Sequence, residues 1–350
     1  MAKQLKKVCV IGHFGFGETL LNGQTVKTQT LTKELDRRFG ESEVMKIDTR
    51  GGVKALLRLP FATLRALRSC KNVVILPAHN GLRVVTPLLS FWNFFYRRSL
   101  HYAVIGGWLQ SFLKKRPILR RQLSRFSGIY VETETMRRAL TSLGLENAIV
   151  MPNCKELRVL APEELKMPSE EPYRLCTFSR VMLEKGIGDA VEAVRTVNET
   201  FGRTVYTLDI YGQVEGGQEE WFSALQADFP NYVRYCGRIA PEKSVDAIRD
   251  CLALLFPTRF LTEGIPGTII DAYAAGVPVI SARWESYADL VEEGVTGVGY
   301  TILCPEELTQ ILLTFAEDRA PLLRMKGSCT RRALMYTPEV ALNILTDRMA

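Results

Sequence analysis

Twelve short apolar runs, most of them followed by a helix-length amphipathic stretch, limit what this chain can fold into. They form two series of six: "KVCVIG", "EVMKID", "NVVILPA", "LHYAVIGG", "GIYVET" and "AIVMPN", then "YRLCTFSR", "YTLDIYG", "VRYCGRI", "LALLFPT", "PVISAR" and "GVGYT". Strands alternating with helices predict parallel sheets built from right-handed crossovers. Between the series lies "CKELRVLAPEELKMPSEEP", rich in Pro and Glu, which reads as a linker. The expectation is an α/β chain of two doubly wound, Rossmann-like domains, 1–155 and 172–330, with a linker over 156–171 and a terminal segment over 331–350. The carboxyl ends of the two sheets are expected to face a central cleft. At 350 residues, two domains fit comfortably.

Charge is segregated along the chain. Between Thr49 and Val131 there are 15 Lys and Arg and no Asp or Glu, while elsewhere 30 basic residues face 38 acidic ones. A field of one sign implies an anionic partner for the first domain. In "GGVKALLRLPFATLRALRS", Lys54, Arg58, Arg65 and Arg68 share one side of a helical wheel, with Leu56, Leu57, Leu64 and Leu67 on another. That pattern fits an ordinary surface helix and also a helix lying on anionic lipid. "SFWNFFYRRS" and "FLKKRPILRRQLSRF" mix aromatics with cations, which suits a lipid–phosphate interface. No nucleic-acid recognition motif accompanies them. The expected partner is an anionic membrane surface, held electrostatically and without insertion.

No run reaches roughly 18 uninterrupted apolar residues, the length that spans a bilayer. "VVTPLLSFWNFF" is broken by Pro87, Ser90 and Asn93. The eight cysteines include no C-x-x-C pair and sit mostly in apolar runs, which reads as a reduced core. The expected setting is cytoplasmic, peripheral to the inner face of the cell membrane.

The second series carries the sharper chemistry. "CTFSRVMLEKGIGDAV" is a strand, a loop holding Arg180 and Lys185, then a helix opening with Gly186 and Gly188. Two cations beside a helix N-terminus suit a diphosphate. An Arg180–Glu184 ion pair is the structural alternative. Further on, "LALLFPT" ends a strand, "RFLTEGIPG" forms a loop, and "TIIDAYAAG" is a helix stopped by Gly276. A carboxylate in such a loop, Glu263, repels phosphate and accepts hydrogen bonds from sugar hydroxyls instead. The N–H groups of Gly264, Ile265, Gly267 and Thr268 remain to face phosphates, and Asp271 could accept from ribose hydroxyls. For either acid taken alone, stabilisation by the helix dipole explains it as well.

The segment "SRVMLEKGIGDAVEAV … DIYGQ … VRYCGRI … FPTRFLTEGIPGTIIDAYAAGVPVISA … LVEEGVTG" resembles the retaining GT-B glycosyltransferases of family 4. The resemblance covers nearly all of the second domain, and the family's Glu-x7-Glu stands here as Glu263-x7-Asp271. It implies that Arg180 and Lys185 bind the donor diphosphate, Glu263 the sugar, Asp271 the ribose, and Arg238 and Ile239 the base. The loop Gly264, Ile265, Pro266, Gly267 and Thr268 would complete the donor site. In the first domain, "IGHFGFGETLLNGQTVKTQTLTKEL" looks like the family's glycine loop, with Gly23 near donor phosphate. Where many members place a histidine, Gly106 and Gly107 stand; His79 ends the preceding strand, and His101 falls too early. The resemblance implies no cofactor and no metal, with a UDP- or GDP-linked sugar as substrate. The acceptor it points to, together with the basic first domain, is a lipid-diphosphate-linked glycan of surface polysaccharide assembly, such as capsule, O-antigen or exopolysaccharide.

Other classes compete. A nicotinamide enzyme needs G-x-G-x-x-G; Gly12, Gly15 and Gly17 are present, but Leu20 replaces the third glycine, leaving Asp48 as the one supporting feature. A GT-B sugar-nucleotide 2-epimerase shares the fold. A non-catalytic nucleotide-sugar-binding scaffold would be expected to lose Arg180, Lys185, Glu263 or Asp271.

Overall fold

The computed structural model describes residues 4–15, 23–50 and 52–349, with the side chains of 52–56 left out. The chain divides into two compact units, one of Met1–Glu156 with Thr337–Ala350, the other of Leu157–Tyr336. All twelve apolar runs contain strands, six in each sheet.

The first unit runs β1 (Lys6–Gly12), α1 (Gly23–Phe39), β2 (Val44–Asp48), α2 (Gly52–Ser69), β3 (Cys70–Ile75), α3 (His79–Tyr96) and β4 (Ser99–Ala103). It continues with α4 (Leu109–Lys114), α5 (Pro117–Leu123), β5 (Gly128–Val131), α6 (Glu134–Thr141) and β6 (Ala148–Val150). Its strands are parallel in the order β2-β1-β3-β4-β5-β6, so the winding reverses between β1 and β3. A right-handed crossover from β1 to β2 puts α1 on one face, while the crossovers moving the other way put α2, α3 and α5 on the opposite face. There α2 packs on α3, and α3 on α5.

The wheel for α2 separates the charged side but not the covered apolar residues from the uncovered ones. Leu59, Thr63, Ala66 and Leu67 form the buried stripe, Leu64 is half-buried, and Leu57 stands in solvent beside Arg58. Lys54 and Leu56 fall outside the described side chains, as Gly17 and Leu20 fall outside the described residues. Asp48 Oδ1 accepts from the backbone N–H of Phe14 at 3.1 Å and of Arg50 at 3.0 Å.

The second unit runs β7 (Tyr173–Phe178), α7 (Ile187–Phe201), β8 (Tyr206–Tyr211), α8 (Glu219–Ala227), β9 (Val233–Gly237), α9 (Ser244–Ile248) and β10 (Ala253–Phe256). It ends with α10 (Gly267–Ala274), β11 (Val279–Arg283), α11 (Tyr287–Leu290), β12 (Gly297–Thr301), α12 (Pro305–Glu317) and α13 (Ala320–Ala333). The parallel order β12-β11-β10-β7-β8-β9 has its reversal between β7 and β10. In an open α/β sheet the crevice beyond the carboxyl ends of two such strands is where ligands bind. Residues 157–171 fall in this unit, where buried Leu160 donates its N–H to Ala274 O at 2.9 Å. The last helix, α14 (Pro338–Thr346), packs on α1 in the first unit, and Arg38 Nη1 donates to Asn343 Oδ1 at 2.6 Å and Thr346 Oγ1 at 2.8 Å. Among the described residues no helix is long and apolar enough to cross a membrane.

Candidate functional site

The loops after β7 and β10 meet because those strands are neighbours. Gly186, in the left-handed region at φ 66°, caps the short turn Leu183–Lys185 and opens α7. A Cβ at Gly186 would lie 2.0 Å from Pro257 O, so only glycine lets the two loops approach this closely. Arg259 N–H then donates to Glu184 O at 2.9 Å, and its guanidinium grips Asp189 Oδ1 at 2.7 Å. The loop over 257–266 is thereby pinned to the start of α7.

That pinning brings Lys185 to Glu263. Lys185 Nζ donates to Glu263 Oε1, and Thr258 Oγ1 donates to the same oxygen at 2.9 Å. The ammonium also lies 5.2 Å from the Phe256 ring centroid and 5.1 Å from that of Phe260. The side chains are 11% and 16% exposed, so this charge pair sits largely out of water yet remains reachable. The cation expected for diphosphate and the carboxylate expected for sugar therefore hold each other, 78 residues apart in sequence.

Beyond Gly264 and Ile265, both buried, Pro266 stands at the N-cap of α10. The helix has no acid in its first turn and no side-chain cap, which leaves first-turn N–H groups at Gly267 and Thr268 for an incoming anion. Thr268 Oγ1 is buried and has no hydrogen-bond partner, a rarity in native proteins. Arg180 is exposed and pairs with Glu215 Oε2 at 2.8 Å. The expected structural partner, Glu184, accepts from Gln218 Nε2 at 3.0 Å instead. Arg238 is exposed just past β9, and half-buried Ile239 packs on the core beneath α10.

Asp271 is placed differently from what the resemblance implies. It is 1% exposed, and Ser244 Oγ, at the start of α9, lies 2.8 Å from its Oδ1. The shorter acid is engaged inside the unit, tying α10 to the segment that follows Arg238 and Ile239. Asp271→Glu forces an extra methylene into this buried contact, at an expected cost of about 1–3 kcal/mol. A urea-unfolding midpoint equal to that of the wild type would contradict it.

In the first unit the carboxyl edge gathers several polar groups. His79 opens α3, its ring stacked on Trp108 at 3.8 Å and edge-on to Phe112 at 5.3 Å. Trp108 closes the turn through Gly106 and Gly107 by donating Nε1–H to Ile105 O at 2.8 Å. His79 and the two glycines thus form one cluster. Gly23 opens α1, exposed, with open space where a Cβ would stand. His101 is buried within β4, where burial pulls its imidazole down to about 4. It bonds Tyr130 Oη at 3.0 Å and Asn72 Oδ1 at 3.3 Å, which is a structural role.

Two features of this edge escape a reading of the sequence. His13, just past β1, shares a hydrogen bond with Thr25 Oγ1 at 2.8 Å. Lys27 on α1 is buried and donates to Glu132 Oε1 at 2.5 Å and Val104 O at 2.7 Å. Glu132 is the acid that ends the acid-free stretch, and that position was the available signal. Among the described residues no group of three or more His, Cys, Asp or Glu is arranged to hold a metal ion.

Residues 172–318 match the family model for Glycosyl transferases group 1. Over 165 residues, 45% of this chain, the sequence is 27% identical to the amylovoran biosynthesis glycosyltransferase AmsK of Erwinia amylovora. That match covers 39% of the relative, so the chain spans about two fifths of its length. Among solved structures, HepE of Anabaena in complex with UDP aligns over 97% of this chain and 98% of its own, with a TM-score of 0.73 at 14% identity. Sucrose-phosphate synthase from Thermosynechococcus elongatus aligns over 97% and 98%, with a TM-score of 0.77 at 13% identity. At such identities the likeness is one of fold, the two-domain GT-B arrangement of two Rossmann-like sheets.

Proposed function

We propose that this chain, whose residues 172–318 carry a Glycosyl transferases group 1 domain, transfers a sugar from a nucleotide-sugar to a glycan acceptor. The observation that carries the reading is the meeting of Lys185 and Glu263, beside the uncapped start of α10, at the reversal between β7 and β10. A nucleotide-sugar offers two unlike groups in sequence, a dianionic diphosphate and a neutral ring of hydroxyls. This site offers a cation with first-turn N–H groups for the one and a carboxylate for the other.

When a donor binds, the diphosphate takes Lys185 from Glu263, and Glu263 turns to the sugar hydroxyls. Arg180, swinging from Glu215, adds charge to the diphosphate as it leaves. Donors positioned where negative charge develops are commonly the largest catalytic contribution. Transfer proceeds with retention, as in family 4. The C1–O bond to the diphosphate breaks while the acceptor oxygen bonds C1 on the same face, and the acceptor proton passes to the departing phosphate oxygen. Arg238 and Ile239 face the base, Gly23 a donor phosphate, and His79 with Gly106 and Gly107 the acceptor. Asp271 serves the donor site from beneath, through Ser244.

A solved neighbour holds UDP, which makes UDP the first nucleotide to try. The acid-free stretch Thr49–Val131 of the first unit and a relative named for amylovoran biosynthesis favour a lipid-diphosphate-linked glycan as acceptor, at an anionic membrane face. Thermal shift against UDP-, GDP- and ADP-sugars tests the donor class. At least one is expected to stabilise the protein, and stabilisation by none would sink the reading.

A further inference from the structure

We propose that the outer face of the α2–α3–α5 layer wedges aromatic side chains into an anionic phospholipid bilayer. This deepens the membrane reading above and replaces a purely electrostatic contact by insertion. Phe61 on α2, Phe94 on α3 and Ile118 on α5 are 78%, 76% and 76% exposed, and Leu57, Phe91 and Phe95 stand in solvent with them. These helices pack side by side on one face of the sheet, so their exposed apolar groups belong to one layer. Phe94 and Phe95 meet edge-on at 5.3 Å, and Phe91 meets Trp92 at 4.9 Å. Large apolar groups clustered on a surface mark an interaction site.

The surrounding charge selects the occupant. Arg58, Arg65, Arg68, Lys114, Lys115 and Arg121 are exposed on the same three helices and the adjoining α4, inside the stretch that has no Asp or Glu. Two open depressions of about 410 and 470 Å³ flank Phe61, one lined by Lys46, Arg58 and Arg65 with Asp48 as the single acid, the other by Arg65 and Arg68. An aromatic between two arginine-lined hollows matches acyl chains below a layer of phosphates. Interfacial helices combine these same features, an apolar side buried at the acyl boundary and cations at the headgroups.

Vesicle sedimentation across a salt series separates insertion from electrostatic adhesion. Wild-type protein is expected to bind phosphatidylglycerol-containing vesicles and to keep a bound fraction at about 0.5 M salt, where exposed charges are screened. A Phe61→Ser, Phe94→Ser, Phe95→Ser variant is expected to bind at least tenfold more weakly and to elute fully at that salt. Its melting temperature and its binding of nucleoside diphosphate should match the wild type. Acyl-brominated lipid should quench Trp92 fluorescence in the wild type and spare a Trp92→Phe variant. Wild-type binding by the triple variant at high salt, without quenching, would overturn insertion. Absence of binding to any vesicle, or a dimer that the triple variant abolishes, would overturn the lipid as occupant. Loss of sugar transfer with vesicle binding intact would instead tell against the proposed function alone.

Discussion

Lys185→Ala is expected to reduce sugar transfer by about 10²–10³-fold or more, the range for removing one donor aimed at developing charge. Affinity for the free nucleoside diphosphate should fall with it, by about 10–150-fold, since one charged hydrogen bond contributes about 1.5–3 kcal/mol. The variant leaves the largely enclosed Glu263 carboxylate with the Thr258 hydroxyl and no opposing charge, so some loss of stability accompanies it. Lys185→Gln, which keeps a donor, separates the two effects. It should melt near the wild type and still fail in transfer. Glu263→Gln acts in the opposite direction on one readout. In the unliganded site Glu263 competes with diphosphate for Lys185. Removing its charge should therefore tighten binding of the free diphosphate by about tenfold, equal to 1.4 kcal/mol, while abolishing transfer. Tighter product binding together with lost turnover is a pattern that general destabilisation does not produce.

Gly186→Ala should damage the second unit and its site together. The left-handed conformation alone costs an L-residue about 1–2 kcal/mol. The added Cβ also meets Pro257 O, and the loop of 257–266 must retreat to admit it. An overall loss of about 3 kcal/mol or more is expected, together with loss of diphosphate binding, because Lys185 moves with the turn it ends. Gly188→Ala is the matched control. It lies in the first turn of α7 with open space at its Cβ, and the change should be neutral or stabilise by up to about 1 kcal/mol. Chemical denaturation of the two variants checks the contrast, and equal midpoints would contradict it.

What the sequence made legible, and what it hid, divides by range. The strands could be read because each is a short apolar run buried within its sheet, as in "LALLFPT", whose Ala253–Phe256 is wholly buried. The loops holding Lys185 and Glu263 could be read because strand, loop and helix follow one another locally. That those loops meet depends on β10 pairing with β7, a non-local choice that no local pattern encodes. The same holds for Arg180 with Glu215, 35 residues away, and for Lys27 with Glu132, 105 residues away. The position of Asp271 one turn into a helix suits ribose hydroxyls but is silent on burial; Ser244, 27 residues earlier, bonds it inside the unit. On α2 the wheel identified the charged side correctly. It could not tell which apolar residues the sheet covers, so Leu57 and Phe61 were left for a partner.

The most direct test of the Lys185–Glu263 site is calorimetric titration of UDP and GDP into the wild type, Lys185→Gln and Glu263→Gln. One of the two nucleotides is expected to bind the wild type, to bind Lys185→Gln at least tenfold more weakly, and to bind Glu263→Gln about tenfold more tightly. Equal affinities for all three proteins, or no binding of either nucleotide to the wild type, would contradict it.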